Sequence, residues 1–291
     1  LCVWHRPKMM EIVRLLLSRG AKADLPTVAR AGLLDEVKRR LDGDPSLIDK
    51  PDAQGRTAIY RAACKYGALA ESDPVIQHLI VRGATVDVFS ASALLMIDRL
   101  KDLLRADASQ AKARDPEGLT ALHWVTRTNA NDRRQVEAAK LLLDAGADPN
   151  AEASTQSGMR PLHCAAEWAS STELAGLLID RGANIDAASS QSPWTPLDYA
   201  MDRNRAEMRD YLRSRGGKHR QELAAAEDVD ANAFLALVHH GEVDAVREKL
   251  DADPSLVNRT GNHPQWGGRS QALHLAIERG EFFTLLGPSG S

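Results

Sequence analysis

Internal repetition is the feature that most constrains how this chain of 291 residues folds. Four segments share a turn residue, a polar residue, Pro or Ala, Leu, and usually His. They read "EGLTALHWVTRT" from Glu117, "SGMRPLHCAAEW" from Ser157, "SPWTPLDYAMDR" from Ser192 and "GRSQALHLAIER" from Gly268. A weaker copy, "QGRTAIYRAACK", starts at Gln54. The chain is therefore built from small units in series.

The segments between these copies repeat as well. "AAKLLLDAGADPNA" from Ala138 matches "LAGLLIDRGANIDA" from Leu174, and "IVRLLLSRGAKADL" and "IQHLIVRGATVDV" are further copies. Gly146, Gly182 and Gly216 follow one another at spacings of 36 and 34 residues. The pattern predicts a short first helix, then a Leu-rich second helix that ends at glycine, because glycine adopts the left-handed conformation without strain.

Proline and composition support this helix-pair interpretation. Pro161 and Pro196 stand in the first turn of the predicted first helices, where a missing N–H costs nothing. The chain is 43% hydrophobic but only 4% aromatic, so aliphatic side chains must build its core. Each helix pair leaves an apolar face that the next pair must cover, so the units are expected to stack.

At these residues the chain resembles an ankyrin-repeat protein, whose pattern reads G-x-TPLHxAA…LLLxxGADxNA. The resemblance extends from residue 8 to about residue 280. It implies an all-α fold, a solenoid of stacked helix pairs with short hairpin loops.

Three segments depart from the pattern because they lack the "TPLH" helix start. "ARAGLLDEVKRRLDGDPSLIDK" from Ala29 and "VHHGEVDAVREKLDADPSLVNR" from Val238 match each other at an offset of 209, and "MIDRLKDLLRADASQAKARDPEG" from Met96 is a third version. Such variants resemble those of bacterial ankyrin proteins. We treat the three segments as degenerate repeats.

The order of the copies predicts two arrays. Residues 1–220 form the first, with about six repeats, a partial first one and a polar, cap-like last one. Residues 221–230 are predicted to be a linker, residues 231–285 the start of a second array with an incomplete second repeat, and residues 286–291 a flexible tail.

Charge, cysteines and hydropathy exclude several classes of function. The net charge of −3 gives no footprint for nucleic acid or an anionic membrane. No apolar run reaches the length of a membrane span. Three widely spaced cysteines suggest reduced thiols in a cytoplasmic protein rather than disulfides or a metal site. Because residue 1 is Leu and not Met, the alternative that a leader sequence has been lost from the N-terminus stays open.

Single residues that could carry chemistry have structural explanations. His123, His163 and His274 occupy the same repeat position, and the resemblance implies that this His is a hydrogen-bonding strut rather than a base or metal ligand. Asp198 replaces His there and is expected to stabilise a helix N-terminus. Cys164 is predicted to be a buried, inert thiol. We expect no enzyme activity, no cofactor, no metal and no small-molecule substrate.

The last residues, "GEFFTLLGPSGS" from Gly280, resemble the start of the phosphate loop of an ABC-transporter ATPase. The second Gly, the Lys and the Ser or Thr of that loop are absent. We therefore expect no nucleotide binding by this chain. The alternative function is that of a fragment of a fusion whose further part is an ABC-type ATPase.

The resemblance implies a scaffold that binds a protein partner through hairpin tips and first helices. The expected contacts, carried over by repeat position, are Gln54, Arg56, Lys65, Glu117, Leu119, Arg127, Thr128, Met159, Glu167, Trp168, Trp194, Asp202 and Arg203.

Within this set, Trp168 and Trp194 are expected to lie close together beside Met159 as a binding patch. The competing interpretation is that one or both rings pack into the core.

Overall fold

The computed structural model describes residues 6–64, 73–128, 133–154, 158–168, 171–190, 193–262, 269–272 and 276. The chain divides into two compact units between Lys218 and His219. Within the described residues, no helix is both long enough and apolar enough to cross a membrane.

The first unit consists of α1 (Arg6–Ser18) followed by helix pairs, in each of which we call the members the first and the second helix. The pairs are α2 (Leu25–Arg30) with α3 (Leu34–Gly43), α4 (Ala58–Ala63) with α5 (Pro74–Val81), α6 (Val88–Ala93) with α7 (Ile97–Ala106), α8 (Ala121–Thr126) with α9 (Arg133–Asp144), α10 (Pro161–Glu167) with α11 (Thr172–Asp180), and α12 (Pro196–Asp202) with α13 (Ala206–Ser214). Each first helix packs against the next first helix, and α7, α9, α11 and α13 stack in the same way. The stacked all-α architecture expected from the sequence is confirmed.

Local sequence sets the helix ends. Thr195 caps α12 by accepting from the Asp198 N–H, and Pro196 takes the first helical position. At the other end of a pair, Gly146 has a φ of +93°. The next N–H, of Ala147, donates to the Leu142 carbonyl at 2.9 Å and so closes α9. These are the ends that the Pro and Gly positions predict.

The core lies between the two helix layers and is mainly aliphatic. Leu122, Leu142, Leu162, Leu178 and Leu197 are fully buried there. Because these leucines recur once per helix, each pair contributes one apolar layer and the core is continuous along the first unit.

The three degenerate repeats share one local structure. After α3, after α7 and after a later helix, α15 (Val243–Ala252), an extended Asp accepts at Oδ1 from the N–H and the hydroxyl of the Ser two residues on. Each Asp starts a short 3₁₀ helix: Pro45–Leu47, Ala108–Lys112 and Pro254–Asn258. The "DPSL" signature is therefore an Asp-capped turn that replaces the glycine end of a second helix.

Hairpins precede α4 and α8 but not the helix between them. Helix α6 starts directly at its cap, Asp87, so the two hairpins meet across this pair. Gly55 faces Pro116, and Arg56 Nη1 lies 3.3 Å from Glu117 Oε1. This contact joins side chains that are 61 residues apart in the sequence.

Polar joints link the outer ends of successive repeats. Near the end of a second helix, or just after it, an Arg binds an Asp from an earlier pair with an N–O distance of 2.6–2.7 Å: Arg82 with Asp42, Arg181 with Asp144, and Arg215 with Asp180. Asn150 adds backbone bonds to Gly182 and Asn184 of the next repeat. Each exposed ion pair adds about 0–1 kcal/mol, so the joints set alignment more than stability.

The second unit contains α14 (Arg220–His240), α15 (Val243–Ala252), and strands β1 (Thr260–Asn262) and β2 (Arg269–Gln271), which pair antiparallel. Its small core includes Phe234, Leu235 and Leu256. Residues 221–230 lie inside α14, which continues through residue 240. The expectation of a second array over 231–285 stays a prediction, and the tail 286–291 lies outside the described residues.

Candidate partner-binding face

The His or Asp that recurs at the N-terminus of the first helices has a structural role. His123 Nδ1 accepts from the Thr120 N–H at 3.2 Å, so its Nε2–H donates to the Met159 carbonyl of the next hairpin at 3.1 Å. His163 accepts from the Arg160 N–H and donates to the Ala187 carbonyl at 2.8 Å. The predicted strut role of both residues is confirmed, whereas His274 lies outside the described residues.

Burial keeps these imidazoles neutral. It lowers the pKa of His123 and of His163 to about 4 because the charged form would lose its hydration. Asp198 takes the same position in α12, where its Oδ2 accepts from the Thr195 N–H at 2.7 Å and from the Thr195 hydroxyl at 2.9 Å. The predicted helix-end role of Asp198 is thus confirmed.

Cys64 and Cys164, the two cysteines among the described residues, are both buried. Burial raises the pKa of the Cys164 thiol to about 12. Among the described residues no group of three or more His, Cys, Asp or Glu could hold a metal ion. What remains is the surface formed by the first helices and the hairpins.

Near α2 and α4 this surface carries what we call the arginine cluster: Arg30, Arg56 and Arg61 with Asp52 and Glu117. Asp52 is buried and accepts from the N–H groups of Gln54 and Arg56 and from Arg56 Nε, at 2.8–3.0 Å. Burial alone would raise the pKa of Asp52, but these hydrogen bonds outweigh it and lower the pKa. Asp52 is therefore a charged anchor for Arg56.

Arg56 gathers three of the predicted contact residues in one place. Its Nη2 donates to Gln54 Oε1 at 2.7 Å, and its Nη1 pairs with Glu117. Gln54 is exposed, and Arg56 and Glu117 are half-buried. Lys65, expected beside them, lies outside the described residues.

A buried carboxylate connects this cluster to the next aromatic residues. Asp115 Oδ2 accepts from the Tyr60 hydroxyl at 2.8 Å and from Trp124 Nε1 at 2.6 Å. The two rings meet edge to face with centroids 6.2 Å apart. Between them along the stack lies α6, whose Ser90, Ala91 and Ser92 are fully buried. The small side chains of α6 thus lie beside the direct contact between Tyr60 of α4 and Trp124 of α8.

Trp168 and Trp194 form the second part of the surface. Both rings are half-buried and pack against the core. Trp194 lies edge to face with Tyr199 at a centroid distance of 5.2 Å. The Arg127 guanidinium lies over two rings, 5.2 Å from the centroid of Trp124 and 5.6 Å from that of Trp168. Each of the two predicted tryptophans is therefore partly packed and partly exposed.

Charged groups adjoin these rings. Glu167 of α10 accepts from Arg203, which follows α12, in an ion pair between neighbouring repeats. Asp202 and Arg203 are exposed. Three predicted contact residues, Glu167, Asp202 and Arg203, thus lie at or just beyond the ends of two adjacent first helices.

Four predicted contact residues are interior instead, and for them the expectation of surface contact needs correction. Leu119 is 0% exposed and Met159 is 6% exposed, because both hairpin side chains pack into the core. Arg127 is buried between tryptophan rings, and Thr128 is buried where its hydroxyl accepts from Gln135 Nε2. These side chains support the surface from beneath and do not form it.

Sequence reasoning missed Arg61, Trp124 and Tyr199, although a signal was present. When the copies are aligned on the turn residue Thr57, Thr120 or Thr195, all three stand four residues after it. Arg30 had no such signal, because α2 lacks the "TPLH" start. Its place beside Arg61 follows only from the packing of α2 on α4.

Comparison with known proteins agrees with this architecture. A family model described as "Ankyrin repeats (3 copies)" matches residues 2–189 and 130–222, together 221 of the 291 residues. The chain is similar to the Ankyrin repeat domain-containing protein SAT10 of Stachybotrys chartarum. The two are 26% identical over an alignment of 213 positions, which covers 62% of this chain but only 10% of that protein. Because the family model covers most of it, the chain belongs to the ankyrin-repeat family.

Proposed function

We propose that the first unit is a non-catalytic interaction module that binds a protein partner on its first-helix face. Ankyrin repeats typically mediate protein–protein interactions, and the first unit has the stacked pairs of this family. The observation that supports this face is the pair Trp168 and Trp194, two half-buried rings on consecutive repeats. Partly exposed tryptophan is costly to hydrate and is enriched among residues that dominate binding energy.

The surroundings of the two rings fit such a role. Each ring is held by a neighbour, Trp194 by Tyr199 and Trp168 by Arg127, so little side-chain freedom remains to be lost when a partner binds. The Glu167–Arg203 pair supplies polar groups beside the apolar surface. A rigid aromatic centre with a polar rim is the usual anatomy of a protein interface.

The fusion alternative concerns residues 280–291, which lie outside the described residues and beyond the family match, which ends at residue 222. No described contact favours an ATPase role, so the interaction module is the function we propose.

The test compares proteins captured from a lysate by the full chain, by the double variant Trp168→Ala with Trp194→Ala, and by the control Val81→Ala. Val81 is also an exposed apolar residue, but it ends a second helix. A partner on the first-helix face should be retained by the control and lost by the double variant. Its affinity, measured by calorimetry with the purified partner, should fall by about 2 kcal/mol or more.

Melting curves of the same proteins complete the test. The double variant should keep a single cooperative transition near that of the control. A collapse of the melting temperature would show that the tryptophans are core residues. Equal affinity of all three proteins for every captured partner would contradict the proposed face.

A further inference from the structure

The arginine cluster contains two guanidinium groups, those of Arg30 and Arg61, that donate no hydrogen bond to a described residue. Arg61 lies on α4 with a side chain only 14% exposed, and its Nε is buried without a hydrogen-bond acceptor. Its nearest carboxylate oxygen, Asp52 Oδ2, is 3.9 Å away, too far for a hydrogen bond. Arg30, at the end of α2, is half-buried and likewise has no partner among the described residues.

The nearby acids are committed elsewhere. Asp52 accepts three hydrogen bonds from the loop of Gln54 and Arg56, and Glu117 pairs with Arg56. Among the described residues of the cluster, three arginines against two carboxylates leave one positive charge in excess. Burial, and then the charges of Arg30 and Arg56, lower the pKa of Arg61, which reflects a cation in a partly desolvated place beside like charges.

A guanidinium that lacks a hydrogen-bond acceptor within its own protein is able to bind an acceptor from a partner. It presents several N–H donors in a planar fork that matches a carboxylate, and the match is stronger where water is partly excluded. Because α2 and α4 stack directly, their two arginines can address one acceptor from adjacent helices.

We propose that Arg30 and Arg61 receive the side-chain carboxylate of an Asp or Glu in an acidic segment of the protein partner. The inference rests on the proposed function, since it names the chemistry of a partner on the same first-helix face. The single excess charge favours a carboxylate, which carries one negative charge, over a phosphate group, which carries about 1.5–2. The open donors of Arg61 would complete their hydrogen bonds only in the complex.

The test measures the binding of labelled peptide probes to the full chain by fluorescence anisotropy. One probe carries four consecutive Glu between Gly-Ser flanks, a second carries Gln in their place, and a third carries a single phosphoserine. The Glu probe should bind saturably at low salt and the Gln probe should not. Arg61→Gln and Arg30→Gln should each weaken binding of the Glu probe by about tenfold or more.

Arg39→Gln is the matched control, because it removes one exposed arginine from α3, the second helix of the pair whose first helix carries Arg30. It should change the affinity by less than about twofold. Equal loss in all three variants would reveal nonspecific attraction to positive charge and overturn the proposal. So would no binding of the Glu probe up to about 1 mM, the weak limit for a specific contact. Tighter binding of the phosphoserine probe would assign the site to phosphate instead.

Stability supplies an independent readout. Because the one ion pair of Arg61 among the described residues is the long contact to Asp52 at 3.9 Å, Arg61→Gln should leave the melting temperature unchanged or raise it. A clear fall would show that Arg61 is a structural residue and would overturn the proposal. If a captured partner depends on Trp168 and Trp194 but not on Arg61, the inference fails while the proposed function stands.

Discussion

Acid should destabilise the first unit through its two histidine struts. His123 and His163 are neutral in the folded protein because each Nδ1 accepts a backbone N–H and each Nε2–H donates to a backbone carbonyl. Their folded pKa of about 4 lies below the 6.5 of an unfolded chain. Protons therefore bind the unfolded state first as the pH falls.

The size of the effect follows from the two pKa values. The stability contributed by neutral struts is complete above pH 6.5 and is lost as the pH falls towards 4. At pH 5 the difference amounts to about 2 kcal/mol for each histidine. Both together cost about 4 kcal/mol, a large part of the 5–15 kcal/mol that typically holds a domain together.

Urea unfolding at pH 7.5 and at pH 5.0, followed by circular dichroism, measures this loss. His123→Gln should be less stable than the parent at pH 7.5 but should lose about 2 kcal/mol less between the two pH values. His240→Gln is the control, because His240 is exposed at the end of α14 and its replacement removes an imidazole without changing either strut. If His123→Gln shows the same pH dependence as the parent, the imidazole of His123 is not the responsible group.

Three further substitutions test the packing. Leu142→Ala should cost about 2–5 kcal/mol in urea unfolding, because Leu142 is fully buried; a loss below about 0.5 kcal/mol would place it at the surface. Gly158→Ala should reduce the free energy of unfolding more than Gly182→Ala does. Both glycines have positive φ, but only at Gly158 would an added Cβ lie 2.8 Å from the Ser190 nitrogen. Equal losses of stability would contradict this close approach between the two hairpins. Asp115→Ala should lower the free energy of unfolding by about 3 kcal/mol or more, because the buried Tyr60 hydroxyl and Trp124 Nε1–H would lose their acceptor. A change in the wavelength of tryptophan emission should accompany this loss.

Much of the fold can be predicted from the sequence because each repeat contains the residues that determine where its helices begin and end. Pro161 and Pro196 at the start of first helices, and Gly146 and Gly182 after second helices, all lie where local backbone preferences require them. The role of His123 also followed, because its partners are its own helix start and the neighbouring backbone. Such features depend on contacts that recur in every repeat.

The surface was harder to predict because exposure depends on neighbours that differ from repeat to repeat. Leu119 and Glu117 are two residues apart in one tight turn, yet the first is buried and the second is half-buried. Around Gly118, whose φ is +76°, neither a helix nor a strand period predicts which side chain faces inward. The arginine cluster forms because α6 has no preceding hairpin and because α2 stacks on α4. The repeat motif predicts neither feature.

The Asp–Arg joints bear on how an array of this kind can change its length. Asp180 and Arg181 are adjacent, and the first binds Arg215 of the following pair while the second binds Asp144 of the preceding pair. A copy of α10 and α11 inserted after the original would therefore find a matching charge on each side, as would the ends left by its removal. Duplication or loss of a whole helix pair therefore keeps each Asp next to an Arg of the adjoining pair. Insertion or deletion of only part of a pair would bring together ends that lack this match. Here the unit of tolerated genetic change coincides with the unit of packing.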